Sequence, residues 1–184
     1  TLDVLRVGDW MAANDVSYPL IFTLREAAHW QKRNSNLPAW IEFAKTCGEE
    51  VIFVRDTEKA DESLEDFLTC PEASRDLGFR QALYERAQCN MLVGSGPVMM
   101  LIFSTAPFMF FRPLMDPKTV DGWPAGTPEW WRDNVGVRVG SQFPWAKENQ
   151  RINWATEDQS DIRAAWRNFK RLDPRRTTRL PLTG

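Results

Sequence analysis

Two apolar runs in this chain end on an arginine followed by an acid. PLIFTLRE (19–26) closes on Arg25 and Glu26, and EVIFVRDTE (50–58) closes on Arg55, Asp56, Thr57 and Glu58. A third run, NMLV (90–93), leads into the turn Gly94-Ser95-Gly96 and then Pro97. Each ending has a chemistry. A guanidinium is a planar fork that matches phosphate oxygens. A Gly-Ser-Gly turn opening a helix offers backbone N–H groups and a partial positive charge to an anion. A carboxylate can hold ribose or sugar hydroxyls. Together these are the parts of a nucleoside-diphosphate site. Each also has a plainer reading. Arg–acid pairs at strand ends are often surface ion pairs worth little, and Gly-Ser-Gly before proline can be only a tight strand-to-helix turn.

The stretch after the first run, AAHWQKRNSNL (27–37), holds the single histidine, His29, with Lys32, Arg33, Asn34, Ser35 and Asn36. Histidine is the side-chain type whose ordinary titration falls near neutral pH, which suits proton transfer. Arg33, Asn34 and Asn36 are candidates for phosphate or sugar, although Asn34 and Asn36 equally suit the cap of a following helix. Further on, GSQFPWAKENQRINW (140–154) mixes aromatic, amide and charged groups. There Trp145, Gln150, Arg151 and Trp154 can pack over a base or sugar, or simply pin a loop.

Other chemistries are disfavoured. Gly-Ser-Gly-Pro is neither the GxGxxG fingerprint nor a Walker A loop, and no GKS or GKT occurs. Cys47, Cys70 and Cys89 are odd in number and lack CxxC spacing, so they are expected to be buried thiols in a reducing cytoplasm, not a disulfide framework or zinc site. The net charge of −2 gives no broad basic field for nucleic acid. No apolar run reaches the roughly 18–20 residues that span a bilayer. Nine tryptophans suit core, sugar-binding and partner surfaces alike.

These residues need elements to position them. Strands are expected at 19–26, 50–58, 90–93 and 107–111. A helix is expected from Pro38, because Trp40, Phe43, Ala44 and Cys47 fall on one face and Gly48 stops it. Helical spacing returns over 72–88 with Phe79, Leu83 and Ala87, and an apolar, buried helix is expected from Pro97 to about Ser104. Residues 127–136 read as a short helix between Thr127 and Gly136. The last helix, 160–172, carries Ile162, Trp166 and Phe169 on one face with Ser160 as its cap. Residues 1–18 and 59–71 carry weak signals, and 112–150 is rich in Pro, Gly and Trp.

Alternating strands and helices predict one α/β domain with a Rossmann-like, open, mostly parallel sheet and helices on both faces. Its core is expected at about 19–172, after an N-terminal segment (1–18) and before a flexible basic tail (173–184). In such sheets ligands bind beyond the carboxyl ends of the strands, where the Arg–acid endings and the glycine turn fall. The first residue is not Met, as in a processed or excised piece. The closing LPLTG fits a sortase pattern but lacks the apolar stretch and basic tail that follow it in a cell-wall anchor.

TLREAAHWQKRNSN, FVRDTE, LYERAQCNMLVGSGPVMMLIFS and the late GSQFPWA and QRINW resemble the nucleotide-sugar-binding half of two-domain glycosyltransferases of the GT-B kind. The strand–SGP–helix element is similar to one that heptosyltransferases use at the donor phosphates. The Arg-ended first strand is similar to the phosphate-binding arginine of fucosyltransferase-type enzymes. The resemblance runs from about Pro19 to Trp154. It implies that Arg25 contacts the donor diphosphate, that Ser95, Gly96 and the helix from Pro97 hold a phosphate, and that Asp56 lies near base or ribose. It implies metal-independent transfer from a nucleotide-sugar donor, with no other cofactor and with Glu26, His29 or Asp56 assisting.

The chain departs from that pattern in having no room for an acceptor domain before residue 19. A missing half or partner chain is one consequence. A non-catalytic module that binds a nucleotide, glycan or protein is another. A third reading has the Trp-rich segment 123–154 dock a partner.

Overall fold

Short runs that are apolar at nearly every position suit strands covered on both faces. In the computed structural model, which describes residues 1–116 and 126–172, four such runs form the middle of one sheet. They are β1 (Leu20–Thr23), β2 (Val51–Val54), β4 (Cys89–Val93) and β5 (Phe108–Phe111). Two strands that the sequence pattern did not reveal complete it at the edges, β3 (Leu68–Thr69) and β6 (Gln150–Asn153). All pairings are parallel, and the order is β3-β2-β1-β4-β5-β6. This is a Rossmann-like α/β fold, as the alternation predicts. The strand order reverses between β1 and β4, where such sheets open a crevice.

Helices cover both faces. Alternate strand residues Leu20, Phe22, Phe53, Met91, Met109 and Phe111 bury against α2 (Leu37–Thr46) and α7 (Gln159–Leu172). The other parity, including Ile21, Ile52, Leu92, Phe108 and Phe110, buries against α1 (Leu2–Ala13), α3 (Pro71–Arg75), α4 (Leu77–Arg86) and α5 (Val98–Ile102). The side chains of Phe22, Trp40 and Phe111 meet in one aromatic cluster under α2, with ring centroids 5.1 and 5.2 Å apart.

Several boundaries differ from the sequence reading, each for a local reason. Residues 2–13 form α1, which joins the core through Val7 and Met11; its remaining face is too mixed to show a stripe. The helix expected over 72–88 is two helices, broken at Asp76, whose carboxylate accepts from the Phe79 amide and so caps α4. α7 is capped by Asp158, which accepts from the Asp161 amide, while Ser160 lies inside the helix. Thr127 does cap α6 (Pro128–Trp130), and the chain continues through a π-turn, Trp131–Val135, to Gly136 in left-handed conformation. The sequence tail 173–184, with its LPLTG, lies outside the described residues.

Candidate anion-binding cleft

Beyond the carboxyl ends of β1, β4 and β5 the sheet opens into a cleft of about 460 Å³. Arg25, His29, Arg33, Gly94, Ser95, Gly96 and Trp145, all singled out from sequence, line it. So does Arg112, which the sequence reading passed over. The signal for it was present: PFMFF ends on Arg112 as the first two runs end on Arg25 and Arg55.

One end of the cleft is cationic. Arg25 follows β1 at 8% exposure. Its backbone is fixed from both sides: its amide donates to Ser35 Oγ (2.9 Å), and its carbonyl accepts from the Ser35 amide (2.9 Å). Its guanidinium makes one long contact, Nη2 to the His29 carbonyl at 3.4 Å, and its Nε is buried without a partner. Arg33 extends to the Gly94 carbonyl (3.4 Å) and lies over the Trp30 ring, and its Nε too is buried without a partner. Among the described residues no carboxylate pairs with either arginine. Burial, and then the positive charges of Arg25 and Arg112, press Arg33 below the usual arginine range. It stays charged, as arginine does in proteins, so the cluster gains by taking up an anion.

The turn 94–96 faces these cations. The Ser95 hydroxyl is buried with no partner, and the Ser95 and Gly96 amides donate no hydrogen bond among the described residues. A Cβ built on Gly96 would meet nothing within 4 Å. Neither packing nor a left-handed φ calls for glycine there, so open space in front of the backbone is what it provides. The following helix, α5, is only five residues long, Val98–Ile102, shorter than the stretch expected to reach Ser104. Its dipole is correspondingly small, and Pro97, which precedes it, has no N–H to give. Positive charge at this end therefore comes from side chains and turn amides.

The other end is aromatic. Phe110, Trp131, Phe143 and Trp145 wall it, with Met99 and Ile102. Trp131 is fixed by a hydrogen bond from its Nε1 to the Pro113 carbonyl (3.0 Å). Trp145 is 51% exposed, stacks on Phe143 (5.3 Å, 19°) and donates from Nε1 to the Ile102 carbonyl (3.2 Å). The Pro/Gly/Trp-rich stretch supplies this wall, which no periodic pattern announces.

The remaining candidates lie elsewhere. Glu26 and Arg55 hold each other bidentately, Nη2–Oε1 at 2.6 Å and Nε–Oε2 at 3.0 Å, with both side chains under 10% exposed. That hydrogen bond, above all, raises the Arg55 pKa. Arg55 also donates to the Glu62 and Ser63 carbonyls. Asp56 accepts from the Glu26 amide (2.5 Å), so the β1 and β2 ends are laced together. Thr57 Oγ1 donates to the Ser74 carbonyl, and Asn34 Nδ2 to the Ala27 carbonyl. Asn36 starts α2 without a side-chain cap bond. The structure thus separates the two Arg–acid endings. The first contributes Arg25 to the cleft, and the second fastens Glu26.

Fold and cleft together define an open α/β sheet with paired, uncompensated arginines at its topological switch point. The fold, an open parallel α/β sheet, is shared with a solved structure. A glycosyl transferase of family 9 from Veillonella parvula DSM 2008 superposes with a TM-score of 0.59 at 11% identity, over 92% of this chain and 51% of the other. The UDP-GlcNAc 2-epimerase of Methanocaldococcus jannaschii, in complex with UDP-GlcNAc and UDP, gives a TM-score of 0.40 at 14% identity, over 88% and 48%. The chain spans about half the length of each. No family model and no curated protein sequence matches it.

Proposed function

We propose that the cleft binds the diphosphate of a nucleotide sugar, and that the chain is the donor-binding part of a glycosyltransferase. The observation that carries this reading is the pair Arg25, buried just after β1, and Arg33, half-buried in the loop that follows, with no carboxylate among the described residues to neutralise them. Buried charge without a partner is costly, and a dianion between these arginines and the 94–96 turn removes that cost. The fold it shares with a family 9 glycosyl transferase supports the same reading. Ser95 Oγ and the turn amides complete the phosphate contacts, and the wall of Trp131, Phe143 and Trp145 packs on base or sugar.

In the transfer reaction an acceptor hydroxyl attacks the anomeric carbon, and the bond to the diphosphate oxygen breaks. The arginines stabilise the leaving charge as it develops, so they meet it without a metal. Glu26 and Asp56 are engaged at the β1–β2 end, which leaves His29, exposed at the rim, as this chain's candidate for proton transfer. That engagement favours a second reading, in which the chain binds the donor and catalyses nothing by itself. Titration of GDP, UDP, dTDP, ADP and CMP against intrinsic tryptophan fluorescence tests the binding. A saturable change with one diphosphate, absent in Arg33→Ala, is expected; no response to any of them contradicts it. Release of nucleoside diphosphate from a nucleotide sugar by the chain separates the two readings.

A further inference from the structure

Arg112 follows β5 in the left-handed backbone region, φ 47°, which few non-glycine residues adopt. Its Nη2 donates to the carbonyls of Arg33 (2.6 Å) and Asn34 (3.0 Å), and its Nη1 to that of Lys32 (3.4 Å). Nη1 also lies 3.0 Å from Glu157 Oε1, whose side chain is 3% exposed. The other oxygen, Oε2, accepts from Trp40 Nε1 at 2.8 Å. One guanidinium therefore ties three consecutive carbonyls of the 27–36 loop to a buried carboxylate that is itself fixed on α2. The middle residue of the three is Arg33, whose own guanidinium reaches the 94–96 turn.

We infer that Arg112 and Glu157 are a positioning pair that sets the anion affinity of the cleft through Arg33. This rests on the reading of the cleft proposed above. Arg112 lines the same cleft, so the competing role is direct contact with the ligand. The bonding separates the two roles. Arg112 is balanced by Glu157 and directed at backbone carbonyls, whereas Arg25 and Arg33 have no carboxylate partner among the described residues. A cation already neutralised and hydrogen-bonded adds little to an anion; the loop that it fastens carries one that is not.

The test is a double-mutant cycle read by calorimetry with nucleoside diphosphates and with inorganic pyrophosphate. Arg112→Gln and Glu157→Gln are each expected to weaken binding about fivefold or more, and to have almost no further effect in an Arg33→Ala background. Additive losses would place Arg112 on the ligand, and tighter binding in Glu157→Gln would make Glu157 a mere charge offset; either overturns the inference. Hydrogen exchange at the Arg33, Asn34 and Ser35 amides, which donate to Trp30, Gln31 and Arg25 carbonyls, reads the loop without any ligand. About tenfold faster exchange in both variants, with the Met91 amide of β4 unchanged, is expected; unchanged protection overturns the fastening. If the wild-type chain binds none of these anions, the cleft reading itself fails, the affinity role falls with it, and exchange alone decides whether the pair holds the loop.

Discussion

Arg33 Nη2 lies 3.4 Å from the carbonyl oxygen of Gly94, so the loop after β1 meets the turn after β4 across the point where the strand order reverses. The contact is too long to hold the two loops together strongly. Its meaning is placement: one half-buried cation stands over a turn whose Ser95 and Gly96 amides and Ser95 hydroxyl have no partner among the described residues.

Gly96 gives the sharpest separation of cleft from fold. Nothing lies within 4 Å of a Cβ there and its φ is not left-handed, so Gly96→Ala should leave the fold intact or stabilise it by about 0.4–1 kcal/mol. Gly96→Leu should keep a wild-type melting temperature yet abolish nucleotide binding by filling the approach to the turn. Thermal melts with calorimetry read both. A Gly96→Leu protein that binds normally removes the turn from the site.

The Glu26–Arg55 pair should behave in the opposite way. Removing one partner of a buried ion pair typically costs about 3–5 kcal/mol. Arg55→Met should therefore lower stability toward urea by about that amount, while the protein that remains folded retains its nucleotide affinity. A loss of affinity without loss of stability would return Glu26 and Arg55 to the cleft.

Arg33 should show the reverse imbalance. It is crowded by Arg25 and Arg112, and a cation held against like charge does not support the fold. Arg33→Gln should leave the midpoint of urea unfolding unchanged within about 0.5 kcal/mol while weakening diphosphate binding. A larger loss would make Arg33 a structural residue, its stacking on Trp30 being the contact responsible.

The cysteines yield a pH prediction. Burial pushes the Cys70 thiol up to about 12, and burial raises Cys47 as well. The thiolate is the reactive form, so the native protein should react slowly with iodoacetamide at pH 8, and all three cysteines promptly in denaturant. For Cys70 the folded value lies above the unfolded one of about 8.5. The native state keeps its proton where the unfolded chain gives it up, so this group's contribution to stability falls as pH rises through the range between the two values. Fast modification of Cys70 in the folded protein at pH 8 contradicts the burial.

Much of this fold is legible in the sequence. The four central strands announced themselves because a parallel sheet buries both faces and leaves continuous apolar runs, as in Val51–Val54. That Arg25 and the 94–96 turn line one cleft was legible because fold topology brings these strand ends together. β3 is two residues long and β6 alternates buried and half-buried positions with polar Gln150 and Asn153, so neither carried an apolar run. The partner of Arg55 was hidden for a different reason. Two Arg–acid endings look alike in sequence, and only the register of β1 against β2 decides which arginine the acids face. The Trp-rich wall joins one short helical turn, at Trp131, to irregular chain at Phe143 and Trp145, and side-chain hydrogen bonds such as Trp131 to Pro113 set its position.

The measurement closest to the central claim is calorimetric titration of GDP, UDP, dTDP, ADP and CMP into the wild-type chain and into Arg25→Ala. One diphosphate should bind selectively, and Arg25→Ala should weaken it at least tenfold, about 1.4 kcal/mol, with a far-ultraviolet spectrum unchanged. Equal affinity in the two proteins, or no binding to either, would leave the 94–96 turn a plain connection between β4 and α5.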